Sequence, residues 1–132
     1  MRGIEFFNDS KATNVDSAIK AVESFERGLI LILGGKDKGA PYEPLIEALR
    51  GKVKHALLIG EASRKIADAI GFLFPYSRAE SMADAVKLAG DMGSSGDVVL
   101  LSPACASFDM FENYEHRGRE FKKAVQELMR NA

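Results

Sequence analysis

Residues 29 to 33 read LILIL, five large aliphatic side chains in succession, closed by Gly34 and Gly35. Side chains along a strand alternate between the two faces of a sheet, so a run without a polar position needs apolar cover on both sides. A strand with one wet face would alternate instead. At five residues the run is also far too short to span a bilayer, and no longer apolar run occurs in the chain. The feature therefore calls for a sheet enclosed between two layers.

The remaining sequence supplies those layers. Strand candidates lie at 4–7, 29–33, 53–59 and 98–101, with a weaker one at 72–76, where Pro75 favours an edge or a bend. Apolar residues recur at helical spacing between them: Val15, Ala18, Ile19, Val22 and Phe25, then Leu45, Ile46 and Leu49 between Pro44 and the stop Gly51. Ile66, Ala67 and Ile70 end at Gly71, Met82, Val86 and Ala89 follow a capping box of Ser81 with Asp84, and Tyr114, Phe121, Val125 and Leu128 mark a closing helix. Strands alternating with helices predict an α/β, Rossmann-like three-layer sandwich around a mostly parallel sheet. With 132 residues and no repeat or linker, the chain is read as one domain over 1–132.

With 18 basic and 19 acidic side chains the formal net charge is −1, which gives no bulk attraction for nucleic acid or an anionic membrane. An anion must then be met by local groups. The single cysteine, Cys105, excludes an internal disulfide framework, and with two scattered histidines it makes no zinc pattern. No stretch of signal-peptide length opens the chain, so it is expected to be soluble, cytoplasmic and monomeric, with no metal ligands of its own.

Ligands of open α/β sheets bind beyond the carboxyl ends of the strands. Three loops there carry unusual chemistry: NDSKATN at 8–14, GGKDKGAPY at 34–42 and SPACASFD at 102–109. In the first, Thr13 with Asp16 fits a helix-capping pattern, which accounts for Thr13 or Asn14 but leaves Asp9 and Lys11 unexplained. The second has two glycines for close backbone approach and the cations Lys36 and Lys38. It is an ordinary turn with solvated lysines or an anion-binding loop; spacing alone does not decide. It is not a Walker A loop, since neither lysine precedes Ser or Thr, and no G-x-G-x-x-G supports dinucleotide binding. The third loop places small residues between Ser102 and Ser107, suiting close approach to a carboxylate, with help from a helix if one begins there.

A nucleophile is poorly supported. Cys105 lies between alanines and reads as a small buried side chain, and neither serine sits in a G-x-S-x-G elbow. His116 reads as a cap or surface residue and His55 as structural. No carboxylate pair is spaced for acid–base work. The residues alone describe a domain that binds a small anion and contributes lysines without being a complete catalyst.

Taken together, NDSKATN, GGKDKG and LLSPACASFDMFENYEHRGREF resemble the carboxy-terminal domain of the Mur ligases of bacterial cell-wall synthesis, in the branch that adds D-glutamate. The likeness covers essentially the whole chain, and SPACASFDMF is its specific part. The D-N-P-R signature of the diaminopimelate-adding branch is absent, and folylpolyglutamate synthases share the architecture without this ending. The resemblance implies the third domain of an enzyme whose first domain holds a UDP-sugar and whose central domain carries the Walker A loop, the magnesium (Mg2+) ligands and most of the ATP site. It implies that a carboxylate of UDP-N-acetylmuramoyl-L-alanine is activated as an acyl phosphate and attacked by the amine of D-glutamate. By the same resemblance Asp9 and Lys11 serve ATP, with Lys11 catalytic near the terminal phosphate. Thr13 and Lys38 hold one carboxylate of D-glutamate, Ser107 and the backbone at Tyr114 hold the other, and Phe108 lines the pocket. Tyr114 stands where the family has phenylalanine, a small departure if only its backbone is used. The linker arginine of the family has no counterpart beyond Arg2-Gly3, which implies an excised domain with Met1 an added start. The competing expectations are a free-standing module for a small dicarboxylate or nucleotide, and a Rossmann-like assembly surface. A reading frame continuing upstream into a G-K-[ST] loop separates them from the ligase.

Overall fold

The computed structural model describes residues 3–131; Met1 and Arg2, on which the linker expectation rests, lie outside them. The elements alternate as β1 (Glu5–Asn8), α1 (Val15–Glu23), β2 (Leu29–Gly34), α2 (Glu43–Leu49) and β3 (Val53–Ile59), then α3 (Ser63–Ile70), β4 (Tyr76–Arg78), α4 (Met82–Met92), β5 (Val98–Leu101) and α5 (Tyr114–Arg130). The five strands form one sheet in the order β1-β5-β2-β3-β4, every neighbouring pair parallel.

All six residues of β2 are buried, as LILIL demands. Leu29, Leu31 and Leu33 join Val22, Leu45 and Ile66 in a core under α1, α2 and α3. Ile30 and Ile32 join Val86, Phe121 and Val125 in a second core under α4 and α5. The same alternation splits β3, with Leu58 in the first core and Leu57 in the second.

The path of the chain positions the site. From β1, helix α1 leads to β2 two places away, and β3 and β4 follow outward in sequence. The chain then returns through α4 on the opposite face and inserts β5 between β1 and β2. Parallel crossovers keep a single hand, so a reversal of direction along the sheet places the connecting helix on the other face. The loops after β1, β5 and β2 thereby become neighbours although they are far apart in sequence.

Local signals mostly act as read. Ser81 Oγ accepts from the Asp84 N–H at 3.0 Å, and Asp84 Oδ2 accepts from the Glu80 N–H at 3.0 Å. For α1 the cap is Asn14, whose Oδ1 accepts from the Ser17 N–H at 2.8 Å, so Thr13 is released from that duty. The weak strand expected at 72–76 forms instead at Tyr76–Arg78, as the outer strand paired with Ala56, Leu57 and Leu58 of β3. Pro75 cannot donate, but its carbonyl accepts from the Ala56 N–H at 3.0 Å and starts the pairing. No helix begins within 102–109: a turn closes on the Ser107 carbonyl, and α5 starts at Tyr114. No helix among the described residues is long and apolar enough to cross a membrane.

Candidate functional site

The three loops are stitched to one another by backbone hydrogen bonds. Asp9 N–H donates to the Leu101 carbonyl at 2.7 Å and Ala104 N–H to that of Ala12 at 2.9 Å, joining the first loop to the third. Gly34 N–H donates to the Pro103 carbonyl at 3.0 Å and Lys36 N–H to that of Ala106 at 2.8 Å, joining the second to the third. The glycine pair serves this contact. Gly34 and Gly35 have φ of 122° and 138°, and a Cβ on them would strike the carbonyl oxygens of Ile59 and Ala106 respectively. Both glycines thus admit close approach by the protein's own backbone, at the end of β3 and in the third loop. The loop after β3, which looked plain in sequence, is drawn in as well: Asp109 Oδ2 accepts from the Glu61 N–H at 2.9 Å.

Beneath the loops lies Arg117 of α5, fully buried at 0% exposure. Its Nε donates to Ser10 Oγ at 2.9 Å, Nη2 to the Ser10 carbonyl at 2.7 Å and Nη1 to the Cys105 carbonyl at 2.9 Å. Ser10 Oγ in turn donates to the Tyr114 carbonyl at 2.7 Å. One guanidinium fork therefore ties the first loop, the third loop and the start of α5 together. Among the described residues it has no acidic partner within ion-pair distance. Burial lowers its pKa to about 10, against the opposing pull of Cys105 and Asp109, so it remains a cation at neutral pH.

A second buried knot holds GGKDKG. Tyr42, 2% exposed, places its hydroxyl 3.1 Å from Asp37 Oδ1 and 3.1 Å from Cys105 Sγ. Asp37 Oδ1 also accepts from the Gly39 N–H at 3.0 Å, and Lys65 of α3 reaches Asp37 Oδ2 at 3.3 Å. The Gly39 N–H, ahead of Lys65 and Tyr42, holds the Asp37 carboxyl below the usual range. Burial pushes the Cys105 thiol up to about 11 and the Tyr42 phenol well above its ordinary value. A protonated thiol is a poor nucleophile, in keeping with a packing role for Cys105. The histidines are engaged structurally: His55 Nε2 lies 2.8 Å from Ser77 Oγ, and His116 Nδ1 accepts from the Glu112 N–H at 3.1 Å.

The groups these loops leave accessible include cations, hydroxyls and aromatic rings. Lys11, Lys36 and Lys38 are exposed, and among the described residues none of their side chains has an ion-pair or hydrogen-bond partner. Thr13 is half-buried with its hydroxyl uncommitted. Ser107 is 2% exposed and its hydroxyl has no protein partner; since no fully buried side-chain polar atom among the described residues lacks one, that hydroxyl meets solvent. Phe108 is 68% and Tyr114 38% exposed, large aromatic areas for a loop surface. Asp9 accepts from Ser102 Oγ at 3.2 Å and keeps its second oxygen free.

Two hollows flank Lys11. One of about 330 Å³ is lined by Asn8, Ser10, Lys11, Tyr114, Glu115, Gly118, Arg119 and Lys122, the other of about 410 Å³ by Asp9, Lys11, Ala12, Ser17, Lys20 and Ala21. The structure thus brings Asp9 and Lys11 together in one and Lys11 and Tyr114 in the other. Thr13, Lys38, Ser107 and Phe108 lie on the same stitched loops but line neither hollow. Sequence reading passed over Arg117, Asp37 and Tyr42. An arginine on the inward side of a helix beginning with NYEHRGREF was the available signal for the first. Among the described residues no cluster of three His, Cys, Asp or Glu could hold a metal ion.

Unpaired cations and uncommitted hydroxyls thus gather beyond the carboxyl ends of adjacent parallel strands, the place where ligands of open α/β sheets bind. Comparison with known proteins identifies the family. Residues 1–105 match the family described as "Mur ligase, glutamate ligase domain", and the chain belongs to it. It is 53% identical over 129 residues to the UDP-N-acetylmuramoylalanine–D-glutamate ligase of Koribacter versatilis (strain Ellin345), covering 97% of this chain and 28% of that protein. It is 49% identical over 128 residues to the enzyme of the same name from Geotalea uraniireducens (strain Rf4), again covering 97% of this chain and 28% of the relative. The chain therefore spans between a quarter and a third of the length of these curated relatives. Among solved structures, the murein peptide ligase Mpl from Psychrobacter arcticus 273-4 shares the fold at TM-score 0.54 and 12% identity, over 94% of this chain and 28% of that one.

Proposed function

We propose that this chain is the acceptor-binding domain of an ATP-dependent ligase that adds D-glutamate to UDP-N-acetylmuramoyl-L-alanine in peptidoglycan synthesis. The observation that carries the reading is the set of free cations and hydroxyls on the stitched loops, in a chain about half identical to ligases of that name. D-Glutamate offers two carboxylates and an amine. Lys38 and Thr13 suit one carboxylate, and the Ser107 hydroxyl with the Tyr114 N–H suits the other, Phe108 covering the chain between them.

ATP supplies the phosphoryl group that activates the L-alanyl carboxylate. Lys11 fits this chemistry because its ammonium is free and lines a hollow with Asp9, whose unshared oxygen can take a ribose hydroxyl. Negative charge that grows on phosphoryl and acyl oxygens is stabilised by such a preorganised cation. The D-glutamate amine then attacks the acyl carbon, and the tetrahedral adduct expels phosphate to leave the amide. Magnesium belongs, in this reading, to the central domain, and no step runs through a metal site in this chain.

The test is a chimera in which this chain replaces the matching carboxy-terminal segment of the Koribacter relative. Phosphate release that depends on D-glutamate, and not on L-glutamate or diaminopimelate, is the expected result. A folded chimera with no D-glutamate-dependent turnover, beside an active parent, overturns the proposal.

A further inference from the structure

The second loop places an acid between two lysines, K-D-K at 36–38, where the simplest outcome would be mutual neutralisation. Lysine stems are long and flexible, so either ammonium could fold back onto Asp37. The structure shows the opposite. Asp37 is turned inward and its carboxylate is occupied by the Gly39 N–H at 3.0 Å, the Tyr42 hydroxyl at 3.1 Å and Lys65 Nζ at 3.3 Å. Lys65 is itself braced, donating to the Ala40 carbonyl at 3.3 Å and lying 5.3 Å from the centroid of the Tyr42 ring. Lys36 and Lys38 are left without partners.

From this geometry we infer that Lys65 and Tyr42 are positioning residues: they hold the Asp37 charge away from Lys38 and so leave Lys38 free to bind a carboxylate of the acceptor. The inference rests on the acceptor role proposed above for Lys38. Lys65 supplies a substitute cation from α3, and the Tyr42 hydroxyl, 3.1 Å from Cys105 Sγ, anchors the arrangement to the third loop. Neither residue touches the acceptor. Their effect is electrostatic and passes through a single carboxylate, which gives it a signature that loss of packing does not have: removing the carboxylate should cancel the loss of Lys65.

The experiment uses the chimeric ligase with four variants, Lys38→Ala, Lys65→Met, Tyr42→Phe and the double variant Lys65→Met/Asp37→Asn, each checked for folding by circular dichroism. Lys65→Met keeps an unbranched stem of similar length and removes the charge. It should raise the KM for D-glutamate about two- to fivefold with kcat little changed, the range expected for an exposed charge pair. Tyr42→Phe should move KM in the same direction. The double variant should return KM to the parent value or below, because asparagine retains an acceptor for Gly39 and Tyr42 but carries no charge to trap Lys38. A raised KM that the double variant does not correct overturns the inference, since the defect would then belong to the Lys65 side chain itself. An unchanged KM in Lys65→Met and Tyr42→Phe, with a raised KM in Lys38→Ala, overturns it while leaving the acceptor reading in place. Unchanged D-glutamate kinetics in Lys38→Ala would remove the acceptor role of that lysine and this inference with it.

Discussion

At the scale of single residues, two exposed and unpartnered lysines are separated by the charge each would face. Lys38, proposed to hold a carboxylate throughout the reaction, gives uniform binding, so Lys38→Ala should mainly raise the KM for D-glutamate. Lys11 is proposed to face charge that grows in the transition state, and Lys11→Ala should lower kcat by on the order of 100–1,000-fold. Steady-state kinetics of the two variants in the chimera decide this, and an exchange of the two effects would reverse the assignments. Arg117 belongs to a different group, because its work is done inside the fold. Arg117→Met would leave Ser10 Oγ and the carbonyls of Ser10 and Cys105 without their donor, and one such buried loss costs about 1–3 kcal/mol. Urea unfolding of the variant domain should show at least that decrease, with an unchanged slope; a change below about 0.5 kcal/mol would mean that water replaces the guanidinium at little cost. Arg117 escaped notice in sequence for a physical reason. Arginine is usually exposed, and only the convergence of two distant loops on one helix supplies enough acceptors to bury it.

At the scale of elements, periodicity was a good guide and end signals were less so. The apolar spacing located all five helices, and Pro44, Gly51, Gly71 and Ser81 act as starts or stops where read. The strand near Pro75 is displaced because a three-residue edge strand is defined by its partner, β3, and carries little pattern of its own. The start of α1 shows how a cap and a ligand group can be confused. Asn14, not Thr13, accepts the helix N–H, although both types cap well and the two positions are adjacent. Asn14→Ala should therefore destabilise the domain by about 0.5–2 kcal/mol with little effect on the KM for D-glutamate. Thr13→Ala should do the reverse, raising KM with stability little changed. Thermal melts beside kinetics on both variants check this, and a large stability loss in Thr13→Ala would return its hydroxyl to a structural role.

At the scale of the whole molecule, the domain offers binding groups and no phosphate-cradling Walker A loop in its sequence. The isolated chain, supplied with ATP, magnesium, the UDP-sugar alanine and D-glutamate, should release no phosphate above background. Turnover that persists through repurification would contradict the division of labour proposed here. The class of fold was determined by the sequence alone, because burial on both faces of a strand leaves a local mark: five aliphatic residues without a polar break, set between helical periods. The three polar loops that follow β1, β2 and β5 were also legible, since a polar cluster after an apolar run is local as well. Their order in space was not, for it depends on β5 returning to lie between β1 and β2. That insertion makes neighbours of residues about a hundred positions apart, such as Ser10 and Arg117. Only then could it be decided which charges are spent within the protein and which stay free: Arg117 and Asp37 are consumed by partners from other elements, while Lys11, Lys36 and Lys38 are not. Whether a charged group is satisfied is a property of its three-dimensional neighbours, and pairwise electrostatics over a few ångströms has no fixed signature in one dimension.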